Sequence, residues 1–294
     1  MGSGEESLAF GGQALIEGIM IRSRSHLVMC VRQPNGGILT QSEAINPDSR
    51  RSRVLGLPFI RGVVALFETT YLGAKGISFS ANVALEEEEE DFTWKEWAIV
   101  ITLTLAISSI FFVVPFVLTN LLHLTGALFN IVEALIRLAL FLAYMAGVSL
   151  WGEFRRVLQY HGAEHKAINA LEAGEELTVE NVREYPRLHR RCGTSFIFIV
   201  ILVSIALFSL LPGGSYLTRL GYRVALMPLI GSVSYEVLRF SARHADSPII
   251  RLLTTPGLLF QRLTTREPDD EMIEVAIKAV EETLRLSSYS GEAQ

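Results

Sequence analysis

The sequence predicts a mainly α-helical integral membrane protein with four transmembrane helices, a small N-terminal β unit and cytoplasmic helices. Half of its 294 residues are hydrophobic, and they are concentrated in blocks. No charged side chain occurs within residues 97–132 or within residues 193–218. Soluble helices seldom keep every face apolar over such lengths, whereas a helix that spans a bilayer needs about 20 apolar residues.

Four spans are predicted, at residues 97–119, 124–150, 194–211 and 220–238. The stretch 97–150 is too long for one crossing, so a turn is expected at 120–123. A Pro-Gly-Gly run at 212–214 separates the second pair of spans. The fourth span is long enough only if Arg223 and Glu236 lie near its ends.

The distribution of Lys and Arg predicts the orientation. These residues are concentrated between the second and third spans and after the fourth, and the turn at 120–123 has none. The positive-inside rule therefore predicts that both termini and the central loop are cytoplasmic. No signal peptide is expected, because the N-terminus lacks the basic-then-apolar pattern. Cys30 and Cys192 are then in a reducing compartment, where a disulfide is not expected.

The predicted organisation has six segments. They are a cytoplasmic β unit at 1–52, an interfacial helix and acidic linker at 53–96, a transmembrane hairpin at 97–150, a cytoplasmic loop at 151–193, a second hairpin at 194–240 and a C-terminal helical segment at 241–294.

Strand and turn signals define the β unit. His26–Arg32 and Ile38–Ala44 are predicted strands, joined by a Pro-Asn-Gly-Gly turn. The preceding Gly-Gly-Gln triplet predicts tight backbone geometry and no catalytic role. Glu17, between apolar neighbours, is expected to be a strand residue that faces water.

Two helices are also predicted outside the four spans. Residues 53–85 suit an interfacial helix, a re-entrant segment or a helix that covers the β unit, and we favour a helix on the membrane side of the cytoplasmic domain. Near the C-terminus, Pro268 is placed in the first turn of an amphipathic helix. Its apolar residues recur at a spacing of three to four: Ile273, Ala276, Ile277, Val280 and Leu284.

The strongest chemical signal is the His-x-x-Glu-His motif formed by His161, Glu164 and His165. Residues four apart share one face of a helix, so the two histidines can bind one metal ion. Glu164 lies beside them and is the predicted general base. The stretch 154–171 has no proline, which favours a helix, and Gly174 is expected to end it.

Further ligands must come from other segments. His189 and Cys192 precede the third span, and Glu236 lies near the inner end of the fourth; His244 and Asp246 are further candidates on the same side. A set with imidazole and thiolate favours zinc among divalent metals, whereas more carboxylates would allow manganese or iron.

Each of these residues also has a structural interpretation. His161 and His165 can be plain interfacial residues, His189 and Cys192 can belong to a basic loop beside the membrane, and Glu236 can pair with Arg239 or Arg223. Glu133 and Arg137, four apart in the second span, can neutralise each other. A charged pair inside a span is also a candidate functional site.

Several blocks resemble the bacterial YqhQ-like family over nearly the whole chain. These are Gly-Gly-Gln-Ala-Leu-Ile-Glu-Gly-Ile-Met at 11–20, Tyr-His-Gly-Ala-Glu-His-Lys at 160–166, Arg-Cys-Gly-Thr-Ser-Phe at 191–196, Ser-Tyr-Glu at 234–236 and Leu-Thr-Thr-Arg-Glu-Pro-Asp-Asp at 263–270. The family is a domain of unknown function, often labelled a predicted metal-dependent enzyme. The resemblance implies a bacterial protein, and with the predicted spans and orientation the expected location is the inner (plasma) membrane, as a multi-pass protein with both termini cytoplasmic.

The favoured hypothesis is a membrane-embedded metal-dependent hydrolase. His161 and His165 bind the ion, His189, Cys192 or Glu236 completes the site, and Glu164 is the base. A site at the cytoplasmic membrane surface suits a lipid-linked, peptide or membrane-protein substrate, and no feature favours nucleic acid. The competing hypothesis is a non-catalytic scaffold or regulator with a structural metal. A small transporter that uses Glu133 and Arg137 is the third.

Overall fold

The computed structural model describes residues 10–45, 55–86, 93–189, 192–211, 214–244 and 247–289. The strands are β1 (Gly11–Leu15), β2 (Gly18–Arg22), β3 (His26–Arg32) and β4 (Ile38–Ala44). The helices are α1 (Ile60–Leu85), α2 (Trp94–Leu121), α3 (Gly126–Leu150), α4 (Gly152–Glu172), α5 (Val179–Glu184), α6 (Ser195–Ser209), α7 (Tyr216–Arg243), α8 (Pro248–Thr264) and α9 (Asp270–Tyr289). The acidic linker within 87–92 and Asp246 lie outside the described residues.

The four strands form an antiparallel meander in the order β1-β2-β3-β4. Alternate residues of a strand point to opposite faces, and here both faces of the sheet are covered. Ile19, Ile21 and Val28 pack into one hydrophobic cluster with α4 and α9. Met20 and Met29 pack on the other face, against α1. The sheet is therefore the middle layer between α1 and the α4–α9 pair.

The predicted strands β3 and β4 are confirmed, and so are the helices predicted within 53–85 and near the C-terminus. The helix expected within 53–85 is α1, which covers one face of the sheet through Phe79. The C-terminal helix is α9, and its backbone is capped by Asp269, whose carboxylate accepts a hydrogen bond from the Met272 N–H at 2.9 Å. The apolar side of α9 faces the sheet, as its spacing predicts.

Glu17 is not the water-facing strand residue that the sequence suggested. It lies in the two-residue turn between β1 and β2, with a left-handed φ of 51°. Its carboxylate accepts hydrogen bonds from Nε and Nη2 of Arg156 at 2.5 Å each, and from the Tyr160 hydroxyl at 3.2 Å. The turn is therefore fixed to α4, and the hydrogen bond from Arg156 holds the pKa of Glu17 below its ordinary value.

We expect the Glu17→Gln variant to lose about 1 kcal/mol of stability at pH 7, because the pair is charged but partly exposed. The folded-state pKa of Glu17 is depressed, so its contribution is fully present above the unfolded-state pKa. It is lost as the pH falls below about 4, through the folded-state value. Denaturant unfolding at several pH values should show wild type and variant converging in acid. A stability difference that is constant from pH 7 to pH 3 would contradict this assignment.

Among the described residues, two helices are long and apolar enough to cross a membrane, α2 with 28 residues and α3 with 25. Only 11% and 17% of their most apolar windows are buried, unlike the core helices of soluble proteins. They are consecutive and pack on each other, with Phe111 in edge-on contact with Phe141 and Tyr144. These helices indicate a membrane-associated protein.

The prediction of four transmembrane helices is wrong, because the described residues contain only these two candidate spans. The third predicted span becomes α6, whose 15 residues reach about 22 Å, less than the roughly 30 Å of a bilayer core. The uncharged block at 193–218 overstated the length of this helix, because it also includes the turn before α7. The fourth becomes α7, which is long enough, but Arg219, Arg223, Glu236 and Arg239 interrupt its apolar character.

Helices α6 and α7 pack beside the α2–α3 hairpin and share a buried charged cluster with it. Glu133 is 1% exposed and accepts hydrogen bonds from Arg137 at 2.9 Å and from Arg223 at 2.7 Å. Arg137 also donates from Nε to the Phe111 carbonyl at 3.0 Å. That carbonyl has no helical partner four residues on, because Pro115 lacks an N–H. Arg137 therefore satisfies the acceptor that the proline leaves free.

Candidate metal centre

Helix α4 carries the motif and continues the chain directly from α3. It begins at Gly152 after a break at Trp151, whose φ and ψ are extended. It ends as predicted near Gly174, which has a left-handed φ of 76° and donates its N–H to the Leu171 carbonyl. A second bond, from the Glu175 N–H to the Ala170 carbonyl, completes a Schellman cap. The helix thus presents His161 and His165 one turn apart.

The structure brings His161, His165 and Cys192 together. One ring nitrogen of each histidine and the sulfur of Cys192 all lie within 4.8 Å of one another. The Cys192 Sγ is 3.4 Å from His161 Nε2, and the centroids of the two imidazoles are 4.4 Å apart. Cys192 comes from the loop just before α6, so the cluster joins α4 to the base of the helical bundle.

Backbone carbonyl groups orient both imidazoles. His161 Nδ1 lies 2.7 Å from the Thr264 carbonyl oxygen, and His165 Nδ1 lies 2.7 Å from that of Arg187. A carbonyl oxygen only accepts, so each Nδ1 carries a proton, and in the neutral tautomer that this selects the lone pair is on Nε2. Metal-ligating histidines are commonly held this way by a partner on the other nitrogen.

Two buried polar atoms at this position have no hydrogen-bond partner among the described residues. They are His165 Nε2 and Glu164 Oε2, each with less than 1 Å² accessible. Buried polar atoms normally have partners, so an unpartnered pair on one helical turn requires an explanation. A cation bound by the imidazole nitrogens and the thiolate would give His165 Nε2 the partner that it lacks. This set of donor atoms suits zinc. The residues present therefore fit a metal ion.

Glu164 is enclosed between α4 and the first strand. It is 6% exposed, and a Cβ added at Gly12 would overlap its carboxylate. Burial raises the pKa of Glu164, and the imidazoles of His161 and His189 oppose that rise. Any residue larger than glycine at position 12 would displace the carboxylate. The Gly-Gly-Gln triplet, for which the sequence suggested no catalytic role, therefore makes room for the predicted base.

Burial lowers the pKa of His165 below its ordinary value, while Cys192 and the Arg187 carbonyl oppose the shift. The side chain is 1% exposed. A neutral imidazole is the form that coordinates a metal, so the environment of His165 favours the ligand form.

The loop that carries His189 and Cys192 is fixed by two amide side chains. Gln261, which is fully buried, accepts from the His189 N–H and donates to the His189 carbonyl, both at 2.8 Å. Asn169 donates to the Pro186 carbonyl at 2.8 Å and to that of Leu188 at 3.1 Å. Sequence reasoning missed both residues, because an isolated Asn or Gln on a helix carries no distinguishing pattern.

The other predicted ligands lie elsewhere. The His189 ring is 5.7 Å from that of His165, but its Nε2 is 3.1 Å from Glu172 Oε1. Glu236 forms an ion pair with Arg61 of α1, with one hydrogen bond of 2.6 Å. His244 is exposed and stacks on Phe240. Neither His189 nor Glu236 belongs to the group of converging ligand atoms in the described residues.

Comparison with known proteins gives a family and no activity. Residues 57–286 match the family described as "Protein of unknown function (DUF1385)". The chain is also 36% identical to the uncharacterized protein YqhQ of Bacillus subtilis (strain 168) over 303 residues, which cover 97% of this chain and 95% of that protein. No solved structure matches the chain.

Proposed function

The chain belongs to the DUF1385 family of proteins of unknown function, and from its geometry we propose that it is a metal-dependent hydrolase of the bacterial plasma membrane. His161, His165 and Cys192 are the proposed ligands of a zinc-type ion, and Glu164 is the proposed general base. The observation that carries the proposal is the convergence of two carbonyl-oriented imidazoles and one thiol within 4.8 Å.

The number of ligands supports a catalytic site over a structural one. Structural zinc sites almost always have four protein ligands, whereas catalytic sites have three and leave one position open. Three ligand groups converge in the described part of the chain, with His189 and Glu236 engaged by other partners. A non-catalytic scaffold or regulator with a structural metal would instead require a fourth protein ligand.

Each residue has a definite role in the proposed hydrolysis. A zinc-type ion supplies Lewis-acid chemistry that polarises the substrate and makes water a better nucleophile near neutral pH. Glu164 takes the proton of the attacking water at Oε2, a buried oxygen with no hydrogen-bond partner among the described residues. The water oxygen forms the new bond, the bond to the leaving group breaks, and Glu164 returns the proton to the leaving group. The Thr264 and Arg187 carbonyls hold the two imidazoles in place.

Aromatic residues support a location at the membrane surface. Trp94 and Trp97 at the start of α2 and Trp151 at the end of α3 lie at the same end of the hairpin, and aromatic rings concentrate at membrane interfaces. Tyr71 of α1 stacks on Trp97 at 5.1 Å. His161 lies ten residues beyond Trp151, roughly 15 Å along α4. With the positive-inside orientation, this end is cytoplasmic, and a lipid-linked, peptide or membrane-protein substrate would reach the site.

Thiol labelling tests the proposed ligand set. Burial raises the pKa of Cys30 to about 11, so it should stay unlabelled by iodoacetamide at pH 8 in the folded protein. Cys192 is 9% exposed, against 0% for Cys30, so it should be labelled, slowly, after chelator treatment. Zinc at about 100 times its Kd leaves about 1% of sites free, so labelling of Cys192 should slow about 100-fold. Mass spectrometry of the labelled peptides measures both rates.

The His165→Ala variant is the control, because it keeps Cys192 and removes a ligand. Zinc should give it little protection. If zinc leaves the labelling rate of Cys192 unchanged in the wild type, Cys192 is not a ligand and the proposed centre is wrong.

A further inference from the structure

The buried charged cluster of the helical bundle contains more positive charge than its acidic partner can neutralise. Arg137, Arg219 and Arg223 lie together, and among the described residues Glu133 supplies their counter-charge by pairing with Arg137 and Arg223. Arg223 contacts both oxygens of Glu133, and Arg137 contacts one of them. Both carboxylate oxygens are therefore already engaged by two of the three arginines.

Arg219 is the arginine of this cluster that pairs with no carboxylate in the described part of the chain. It is four residues before Arg223, so the two lie on one face of α7. Both guanidinium groups lie against the rings of Phe116 and Phe129. The Arg219 group is 5.6 Å from the Phe116 centroid and 5.2 Å from the Phe129 centroid. The Arg223 group is 4.6 Å from the Phe116 centroid and 5.2 Å from the Phe129 centroid. Like charges at this spacing repel each other.

The neighbours of Arg219 leave part of its hydrogen-bonding capacity unused. Its Nη2 donates to the Asn120 side-chain oxygen at 2.6 Å, but its Nε is buried and has no acceptor among the described residues. Arg219 itself is partly exposed, whereas Arg223 and Glu133 are buried. The cluster is thus open to a ligand on the side of Arg219.

We propose that Arg219 binds a phosphate group at the turn of the α2–α3 hairpin, while Arg223, buried one helical turn away and engaged by Glu133, adds positive charge beside it. Phosphate offers several acceptor oxygens and matches the planar guanidinium fork. Its negative charge would offset the excess charge of the three arginines, and the N-terminal end of α7 adds a favourable dipole. The site lies at the opposite end of the hairpin from Trp97 and Trp151, so it is distinct from the metal centre.

A lipid headgroup and free phosphate offer the same chemistry, and binding measurements distinguish them. Purified, delipidated full-length protein would be titrated with inorganic phosphate, with phosphatidylglycerol, and with diacylglycerol, which lacks the phosphate. Saturable binding of inorganic phosphate would identify a site for the free anion. Binding of phosphatidylglycerol but not of inorganic phosphate or diacylglycerol would identify a site for a lipid headgroup.

Variants then locate the site. Arg219→Gln should weaken the binding of the phosphate-bearing ligand about tenfold or more, because it removes charged hydrogen bonds. Asn120→Asp should weaken it too, by giving Arg219 a competing carboxylate. Lys278→Gln, the same loss of charge at an exposed position on α9, should bind as wild type does. The proposal is overturned if neither phosphate-bearing ligand binds, or if Arg219→Gln and Lys278→Gln bind equally well.

Discussion

Replacing Glu133 by Gln should destabilise the protein by about 3–5 kcal/mol, because removing one partner of a buried ionic cluster leaves uncompensated charge. Glu133 is 1% exposed and lies between Arg137 and Arg223, both of which are also buried. The neutral amide would leave two guanidinium groups together without a counter-charge. Denaturant or thermal unfolding in detergent measures the loss.

Two further variants show whether charge is the cause. Glu153→Gln, the same change at an exposed position of α4, should alter stability by less than about 0.5 kcal/mol. The double variant Glu133→Gln/Arg223→Gln should lose less unfolding free energy than the sum of the losses of the two single variants. The reason is that it removes one of the two guanidinium groups that Glu133→Gln leaves without a counter-charge. Strict additivity, or a Glu133→Gln variant as stable as wild type, would show that the cluster does not hold the helices together.

Replacing Glu164 by Gln should reduce hydrolysis by about 10²- to 10⁴-fold, the usual contribution of a general base. Gln has nearly the same shape as Glu, so it should fit beside Gly12 and leave His161, His165 and Cys192 undisturbed. Metal content should therefore stay at the wild-type value. The measurement compares rates for wild type and variant on a panel of ester, amide and phosphoester substrates presented in lipid vesicles.

The matched control is Glu172→Gln, which changes a carboxylate at the end of the same helix outside the group of ligand atoms. It should keep most of the activity. If wild type hydrolyses no member of the panel, the hydrolase proposal loses its support. If Glu164→Gln is as active as wild type, Glu164 is not the base, and a structural metal becomes the better account.

Local sequence patterns predicted the helices and strands that can be recognised without knowing what they pack against. Helices α4 and α9 and strands β3 and β4 follow from periodicity, caps and a turn. The sequence placed Glu17 in a strand but did not give the bounds of β1 and β2, because both faces of β2 are buried and Gly12 and Gly18 interrupt the pattern. The number of spans was overestimated because an uncharged block records composition, whereas a span also requires an unbroken helix of sufficient length.

The candidate site, too, was predictable only where local sequence determines it. The spacing of His161 and His165 fixes their shared face of α4, and Cys192 was one of several possible partners. Only the tertiary structure separates it from Glu236, which pairs with Arg61 175 positions earlier in the chain. The contact between Gly12 and Glu164 also joins distant segments, so no local signal could have revealed it.

Metal content of the purified protein tests the central claim most directly. Mass spectrometry would compare wild type with the His161→Ala/His165→Ala variant, both purified without chelator and checked for folding. About one metal ion per chain in the wild type, and a negligible amount in the variant, is the result expected for a site with these ligands. Negligible metal in both proteins, or equal metal in both, would contradict the assignment of His161, His165 and Cys192 as a metal centre.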